Sequence, residues 1–172
     1  MPEFIVIGEA RIGREVKARQ MEARVSTTPT DVYVDLPSDY VSIRAVRIKG
    51  STLGWLDFMT PEVFFSEFAS STTSTRKAYT IFGDELIFPN TPAGDVELWY
   101  YKKLAALSGA TNSLFTMNPD LYLYAAMAAA QPFLKNIPQM PMWEGLYIDV
   151  RESINKQHKE GRYSPGMAVR AA

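Results

Sequence analysis

Apolar side chains follow two different spacings along this chain, and the changes of spacing predict its elements. Over residues 2–23 they recur at roughly helical intervals, which predicts an amphipathic helix. Between residues 32 and 103 they fall mostly on alternate positions, as in strands that bury one face. Helical spacing returns at Asn118 and again at Pro141. The sequence therefore predicts a helix, a series of strands and two further helices.

Turn residues separate the predicted strands from one another. Strands are predicted at 32–37, 41–50, 53–59, 78–82, 85–89 and 95–103, with a short helix at 60–68 and a polar loop at 70–77. Gly83 and Asp84 predict a hairpin between two of these strands. Short consecutive strands joined by short turns favour antiparallel pairing, so we expect an antiparallel β-meander.

The sequence NPDLYLYAAMAAAQPFL, at 118–134, predicts a helix that neighbouring helices can approach closely. Asn118 can cap its first turn, and Pro119 suits that turn because a free N–H is not needed there. The alanines that follow keep the helix thin, so we expect a central helix packed on both sides. Pro132 lacks a backbone N–H and should bend or end the helix near that point.

Two tyrosines near the start of this helix are candidate contact residues. Tyr122 and Tyr124 lie about 200° apart around a helix, so they cannot share a face. One is expected in the core and the other at a rim or a partner surface. Tyrosine is common in both settings, so the pattern leaves open which is which.

The chain ends in a third long helix and a segment without periodicity. The helix is predicted over about 141–159, with an apolar face of Trp143, Leu146, Tyr147, Val150 and Ile154. Residues 160–172 contain Pro165 and Gly166, which oppose a helix, so we expect an extended tail. Its candidate contact residues are Arg162, Tyr163, Met167, Val169 and Arg170.

Together these elements predict an α+β fold, in which a helical bundle carries an inserted antiparallel β-meander. At 172 residues, a single domain is expected over 1–172. Its parts are a helical module at about 2–25 and 117–160, a β region at about 30–103 and a tail at 160–172.

Composition and charge exclude several classes of function. Hydrophobic residues make up 47% and charged residues 22% of the chain, as in ordinary soluble globular proteins. The formal net charge of −1 gives no indication of a general binder of nucleic acid or membrane surfaces. Cysteine is absent, which excludes disulfides, thiolate metal sites and a cysteine nucleophile. No apolar run approaches about 18 residues, so no membrane span is predicted.

Residues suited to catalysis or metal binding are sparse. His158 is the only histidine and lies near the end of a polar helix, so we expect it at the surface and without a second histidine to share a metal. Asp57, Glu62 and Glu67 could form a carboxylate pair, but their spacing does not indicate one. The sequence has no phosphate-binding loop, dinucleotide-binding motif or nucleophile elbow. We therefore expect no enzymatic activity, cofactor or metal.

An aromatic cluster leaves open an alternative role. Trp99, Tyr100 and Tyr101 precede Lys102 and Lys103. Aromatic side chains beside basic ones can bind single-stranded nucleic acid. We favour a strand that is buried on both faces, with the lysines marking its exit.

Basic residues of the first helix are interpreted as a solvated face rather than an anion site, because acidic residues lie among them. They are Arg11, Arg14, Lys17, Arg19 and Arg24. Glu15 lies four residues before Arg19, a spacing at which an ion pair supports a helix.

Several segments, taken in order, resemble the tailed-phage head-to-tail adaptor proteins, also called head–tail connector or head-completion proteins. The matching segments are EARIGREVKARQMEARV (9–25), YVDLPSDYVSIRAVRIKG (33–50), GDELIFPNTPAGDVEL (83–98), DVELWYYKKLAALS (95–108) and PDLYLYAAMAAAQPFL (119–134), followed by Trp143 and Tyr147. The resemblance covers most of residues 3–160. Family members often carry a further segment before the first of these, and the tail at 160–172 has no matching motif.

The resemblance implies a non-enzymatic virion protein, made in the host cytoplasm and placed in the neck between head and tail. Such proteins form a ring, commonly twelve-fold, that binds the portal and carries the tail or nozzle protein. Phage DNA passes through the ring without specific binding, and no membrane is involved. The alternatives are another ring-forming tail-completion protein, a nucleic-acid-binding module that uses Trp99 and Tyr101, and a small-molecule enzyme that uses surface carboxylates.

Overall fold

The structure is a computed structural model that describes residues 3–51, 54–68, 77–107, 111–135 and 137–162. The helices are α1 (Glu3–Glu15), α2 (Pro61–Phe68), α3 (Ser113–Met117), α4 (Pro119–Ala130) and α5 (Met140–Arg162). The strands are β1 (Glu22–Thr27), β2 (Tyr33–Asp35), β3 (Tyr40–Ile48), β4 (Asp57–Phe58), β5 (Ala78–Phe82), β6 (Glu85–Ile87) and β7 (Val96–Lys102). Short 3-10 helices lie at Arg19–Met21 and Ile137–Gln139. The predicted α+β class, with sheets that are mostly antiparallel, is confirmed.

The chain divides into two compact units. A helical unit comprises residues 1–21 and 103–172, and a β unit comprises residues 22–102. The β unit therefore lies in the sequence between the two parts of the helical unit. The assignment of 1–172 to a single adaptor domain stays a prediction.

In the helical unit, α4 packs against both α1 and α5. This confirms the prediction of a central helix with neighbours on both sides. The helix begins at Pro119 and ends at Ala130, two residues before Pro132, as the missing N–H of that proline predicts. The side chain of Asn118 makes no capping hydrogen bond, so that expectation is wrong. Its backbone N–H instead donates to the carbonyl of Leu114 and closes the preceding helix.

That preceding helix, α3, is absent from the sequence prediction. Its N-cap is Asn112, whose side-chain Oδ1 accepts from the N–H of Phe115 at 2.8 Å. The amide of Asn112 also donates to the carbonyl of Ala105 at 2.9 Å. With little more than one turn, α3 is too short to produce a periodic apolar pattern in the sequence.

The first helix is shorter than the sequence predicts. It ends at Glu15, and the residues from Glu22 onward form β1. Every residue of this strand pairs with β7, from Glu22 opposite Tyr101 to Thr27 opposite Val96. Pairing with a strand far along the chain has overridden the local helical pattern, and the β region begins at 22 rather than about 30.

The strands of the β unit form two sheets rather than one continuous meander. One sheet has the order β1-β7-β3 and the other β2-β6-β5-β4. The predicted hairpin of β5 and β6 is confirmed, with Gly83 at a positive φ of 62° in its turn. The short strand β4 runs parallel to β5, against the antiparallel expectation, and covers only two residues of the segment predicted at 53–59.

Apolar residues from both sheets meet in one core. The buried members are Val34, Val46, Leu56, Tyr79, Leu86, Phe88, Val96, Leu98 and Tyr100. Because the inner faces share this core, the outer faces of the two sheets point in opposite directions. β7 is buried on both faces, since Glu97 and Tyr101 on its outer face are also buried, which confirms the preferred interpretation of this strand.

The last helix continues to Arg162, three residues past its predicted end. The predicted extended segment therefore does not begin at residue 160, because 160–162 are helical. The rest of that segment, 163–172, lies outside the described residues, as does most of the predicted polar loop at 70–77. Within the part of the chain that is described, no helix is long and apolar enough to cross a membrane.

Candidate functional site

The backbones of α1 and α4 approach each other closely at Gly8. A Cβ placed on Gly8 would lie 3.1 Å from the backbone N of Ala126 and 3.3 Å from the Cβ of Ala125. A side chain larger than glycine would push the two backbones apart. The alanine run therefore has the role that the sequence indicates, and Gly8 is the residue on the neighbouring helix that matches it.

A network of charged side chains joins α1 to α5. The guanidinium of Arg11 donates to both carboxylate oxygens of Glu144, one of them at 2.8 Å, and to Glu15 at 3.0 Å. Arg151 donates to the other oxygen of Glu15 at 2.9 Å. The hydroxyl of the fully buried Tyr147 donates to that same oxygen at 3.2 Å, and Arg11 lies 4.2 Å above its ring.

The network sets the ionisation of its members. Although burial raises the pKa of Glu15, hydrogen bonds from Arg151 and Arg11 lower it by more, so it lies below its ordinary value. The hydrogen bond from Arg11 likewise lowers the pKa of Glu144. Burial raises the pKa of Tyr147 above its ordinary value. These shifts favour ionised carboxylates at Glu15 and Glu144 and a neutral phenol at Tyr147. The network therefore has a structural role rather than an acid–base role.

Asn155 completes the contact at the end of α1. Its Oδ1 accepts from the backbone N–H of Lys17 at 2.8 Å, and its Nδ2 donates to the carbonyl of Glu15 at 3.1 Å. The side chain thus satisfies two backbone groups that the end of the helix leaves without partners. This contact fixes the point at which the chain leaves α1.

The basic residues of α1 do not form one solvated face. Arg14 and Arg19 are exposed, as expected. Arg11 is partly buried between two carboxylates and therefore belongs to the network. The expected pair of Glu15 with Arg19 is replaced by ion pairs of Glu15 with Arg11 and Arg151, because α1 ends before Arg19.

The predicted contact tyrosines separate as expected into one core and one rim residue. Tyr122 is buried, its hydroxyl donates to Asn112 at 3.1 Å, and its ring lies 5.3 Å from that of Phe115. Tyr124 is partly exposed, with its ring 6.1 Å from that of Trp143. Their role at an interface stays a prediction. Of the tail candidates, Tyr163, Met167, Val169 and Arg170 lie outside the described residues, and only the helical backbone of Arg162 is described.

His158 is buried rather than at the surface. It is 5% exposed on the inner side of α5, one turn after the buried Ile154, so the sequence-based expectation is wrong. The expectation followed the polar neighbours of His158 along the chain and not its position on the helix. Asp57, Glu62 and Glu67 are all exposed. Among the described residues, no cluster of three or more acidic or histidine side chains could hold a metal ion.

On the outer face of the β1-β7-β3 sheet, two arginines converge on a buried carboxylate. Glu97 is only 2% exposed, hydrogen bonded by the Nε of Arg47 and 3.3 Å from Arg24. These contacts, with that of Arg47 the largest, hold the pKa of Glu97 below its ordinary value. Trp55 lies edge-on to Trp99 with ring centroids 4.9 Å apart, and Arg47 lies near both rings. We call Arg24, Arg47, Trp55 and Trp99 the guanidinium face.

The outer face of the other sheet is acidic and aromatic. Asp35 on β2 lies directly opposite Glu85 on β6, which in turn lies opposite Phe82 on β5. Phe82 is 64% exposed, and its ring lies 6.5 Å from that of Phe65 on α2. We call Asp35, Phe65, Phe82 and Glu85 the acidic face. Sequence reasoning missed this set, because its members meet only through the pairing of strands and the packing of α2 on β5.

The helical unit also carries exposed apolar side chains. They are Val6, Ile7, Met117, Leu123, Phe133, Leu134, Met140, Met142 and Leu146. Phe133 packs against Phe4 with ring centroids 5.0 Å apart.

Comparison with known proteins identifies the family. A family model described as SU10 adaptor protein matches residues 1–170. No curated protein matches the chain. The family consists of structural phage adaptors, which are virion components and not enzymes. The match spans nearly the whole chain and confirms the family that its ordered segments indicate. The chain therefore belongs to the SU10 adaptor protein family, a family of phage head-to-tail adaptors.

Proposed function

We propose that this chain is the subunit of a ring, commonly twelve-fold in proteins of this kind, in the neck of a tailed phage. The ring lies beneath the portal of the DNA-filled head and carries the tail or nozzle protein. It also forms part of the channel through which the DNA leaves. The observation that carries the proposal is the family match over residues 1–170.

Features of the surface support a ring subunit. Each subunit of a closed ring contacts one neighbour through one surface and the other neighbour through a different surface. The guanidinium face and the acidic face are two such different surfaces on one unit. Exposed apolar residues of the helical unit, such as Ile7 and Leu134, add area suited to burial against the portal or a neighbouring subunit.

The charge of the chain suits a channel through which DNA moves. Each phosphate that a protein neutralises adds affinity for DNA, so a strongly basic lining would retard its passage. The formal net charge of this chain is −1. The ring therefore guides the DNA by its shape and does not bind it tightly.

The C-terminal segment is proposed as a portal contact. Tyr163, Met167 and Val169 are spaced apolar residues with Arg162 and Arg170 beside them. Such spacing suits docking of an extended segment into grooves or onto a sheet edge of a neighbour. Because α5 extends to Arg162, the informative truncation removes 163–172 and leaves the helix intact. This truncation should leave circular dichroism unchanged and weaken binding to portal rings. Equal binding by the truncated and full chains would make the segment an ordinary terminus.

The function is tested by mixing the purified chain with rings of its cognate portal and measuring the assembly by native mass spectrometry. We expect a complex that contains a full ring of this chain for each portal ring. If each ring contact is modest, the chain is monomeric alone and assembles when many contacts form at once. Binding to tail assemblies with no binding to portal rings would instead indicate a tail-completion protein.

A further inference from the structure

The two outer faces of the β unit carry opposite charge. They point in opposite directions because the sheets share one core between their inner faces. A copy of the unit could therefore present its guanidinium face to the acidic face of a second copy. This head-to-tail arrangement is the one that generates rings.

Among the residues that the structure describes, the acidic face has negative charge without a positive partner. Asp35 and Glu85 lie opposite each other in the ladder, where like charges destabilise a sheet. Both are exposed, and neither forms a salt bridge with any residue in the described ranges. Phe82 stands beside them with most of its ring in water. The folded chain tolerates this repulsion and exposure, and a cationic, aromatic partner would relieve both.

The guanidinium face has an excess of positive charge among the described residues. Arg24 and Arg47 share the single carboxylate of Glu97, so one positive charge is left over. Arg24 has 58% of its side chain exposed and Arg47 41%. Trp55, which is itself about half exposed, supplies apolar area beside them. Arginine and tryptophan are the residues that most often dominate binding energy at protein interfaces.

We propose that the acidic face of one subunit binds the guanidinium face of the next subunit. The occupant of each face is thus a second copy of this chain. The proposal rests on the ring proposed above and specifies the surfaces through which the ring closes. Pairing of opposite charges would orient the subunits head to tail, and the phenylalanines and Trp55 would supply the apolar area of the contact.

Nucleic acid is the less suitable occupant of the guanidinium face. Trp55 covers Trp99 edge-on, so Trp99 is not an open platform on which a base could stack. Both guanidiniums are also engaged by Glu97, which reduces the charge available to phosphates. The aromatic–basic cluster in the sequence is therefore better explained by a protein contact.

The first test reverses charge on the acidic face. Glu85→Lys should weaken assembly of the ring on portal roughly tenfold or more, because it places like charges across the contact. Asp149→Lys changes the net charge equally at an exposed position on α5 and serves as the matched control. Adding Arg24→Glu to Glu85→Lys restores opposite charges across the contact and should restore assembly. Thermal denaturation of each variant verifies that it folds.

The outcomes of this test distinguish a failure of the proposed contact surface from a failure of the proposed adaptor function. If Glu85→Lys assembles as well as Asp149→Lys, the acidic face is not in the contact and the proposal is wrong. If the unaltered chain does not bind portal at all, the adaptor function is wrong. A labelled single-stranded oligonucleotide gives a third result: salt-dependent binding that Arg24→Glu abolishes would assign the guanidinium face to nucleic acid and overturn the proposal.

The second test uses the absence of cysteine from the chain, so that introduced thiols are the only ones. A chain with Arg24→Cys and Glu85→Cys, treated at high concentration with a short bismaleimide, should give a ladder of cross-linked oligomers. Either single variant can give dimers at most. The control chain carries Arg24→Cys together with Asp149→Cys, and keeps Glu85. A ladder of equal intensity with that control would contradict the head-to-tail contact without any need for portal, and so would the absence of a ladder in chain that is bound to portal rings.

Discussion

The helical unit pairs four charged side chains where α1 meets α5, whereas the β unit leaves two neighbouring carboxylates on an outer face without a salt bridge to any described residue. Arg11, Glu15, Glu144 and Arg151 satisfy one another where α1 meets α5. In the β unit, Asp35 and Glu85 repel each other in water, and two arginines share Glu97. These four charges hold helices of the first unit together, and the unpaired carboxylates of the second suit the contact between subunits that we propose. The variants below alter one side of this contrast at a time.

Gly8→Leu should have the largest effect on stability. The new side chain would have to enter space occupied by Ala125 and Ala126 of α4, where even a Cβ would lie 3.1 Å from backbone. Overpacking of this kind costs about 1–3 kcal/mol or more. Gly13→Leu lies on the same helix with nothing within 4 Å of its Cβ, so it should be neutral or stabilising. Urea denaturation of both variants measures the difference, and equal stabilities would refute the close approach.

Asn155→Ala should cost slightly less, on the order of 1–3 kcal/mol, because it leaves two backbone groups of the α1 terminus without partners. Lys156→Ala removes an exposed side chain on the next residue and should change stability by less than about 0.5 kcal/mol. Hydrogen exchange at the amides of α1 should accelerate in Asn155→Ala alone. Unchanged exchange there would mean that Asn155 does not hold the end of the helix.

Acid should loosen the contact between α1 and α5. The pKa values of Glu15 and Glu144 in the folded chain are below the ordinary value of 4.5, so the unfolded chain binds protons first as the pH falls. The stabilisation is complete well above pH 4.5 and is lost as the pH falls through the lower, folded values. Glu144→Gln should reduce this dependence when urea midpoints are compared between neutral and acidic pH. An unchanged dependence would show that other carboxylates control it.

Glu85→Lys should have the smallest effect on the isolated chain, and the effect should be favourable. It replaces a repulsion with an attraction across the β2–β6 ladder, which contributes about 0.2–1 kcal/mol. A higher melting temperature for the free chain, together with weaker assembly, would be the signature of a residue selected for contact rather than for folding. A lower melting temperature would contradict the proposed repulsion with Asp35.

Turns and helix ends that depend on residues close together in sequence were predicted correctly. Gly83 and Asp84 indicated the hairpin, Pro119 the start of α4 and Pro132 its end, and each is confirmed. The period of the apolar residues predicted α5. In these cases the residues that decide the structure are neighbours in sequence.

Features that depend on distant pairing could not be predicted in this way. Residues 22 and 23 continue the helical pattern and belong to a strand only because β7 pairs with them. Asp35, Glu85 and Phe82 become neighbours only once β2, β6 and β5 are in register. The network around Glu15 depends on Glu144, which is 133 residues after its partner Arg11, and on Arg151, which is 136 residues after Glu15. The family was nevertheless recognisable, since order and composition of segments carry that signal without their contacts.

Electron microscopy of the chain mixed with rings of its cognate portal tests the central claim most directly. We predict a ring of added density on the tail-facing side of the portal, with the symmetry of a closed head-to-tail assembly and an open channel along its axis. Portal rings that remain unchanged, in the presence of chain shown to be folded by circular dichroism, would contradict the account.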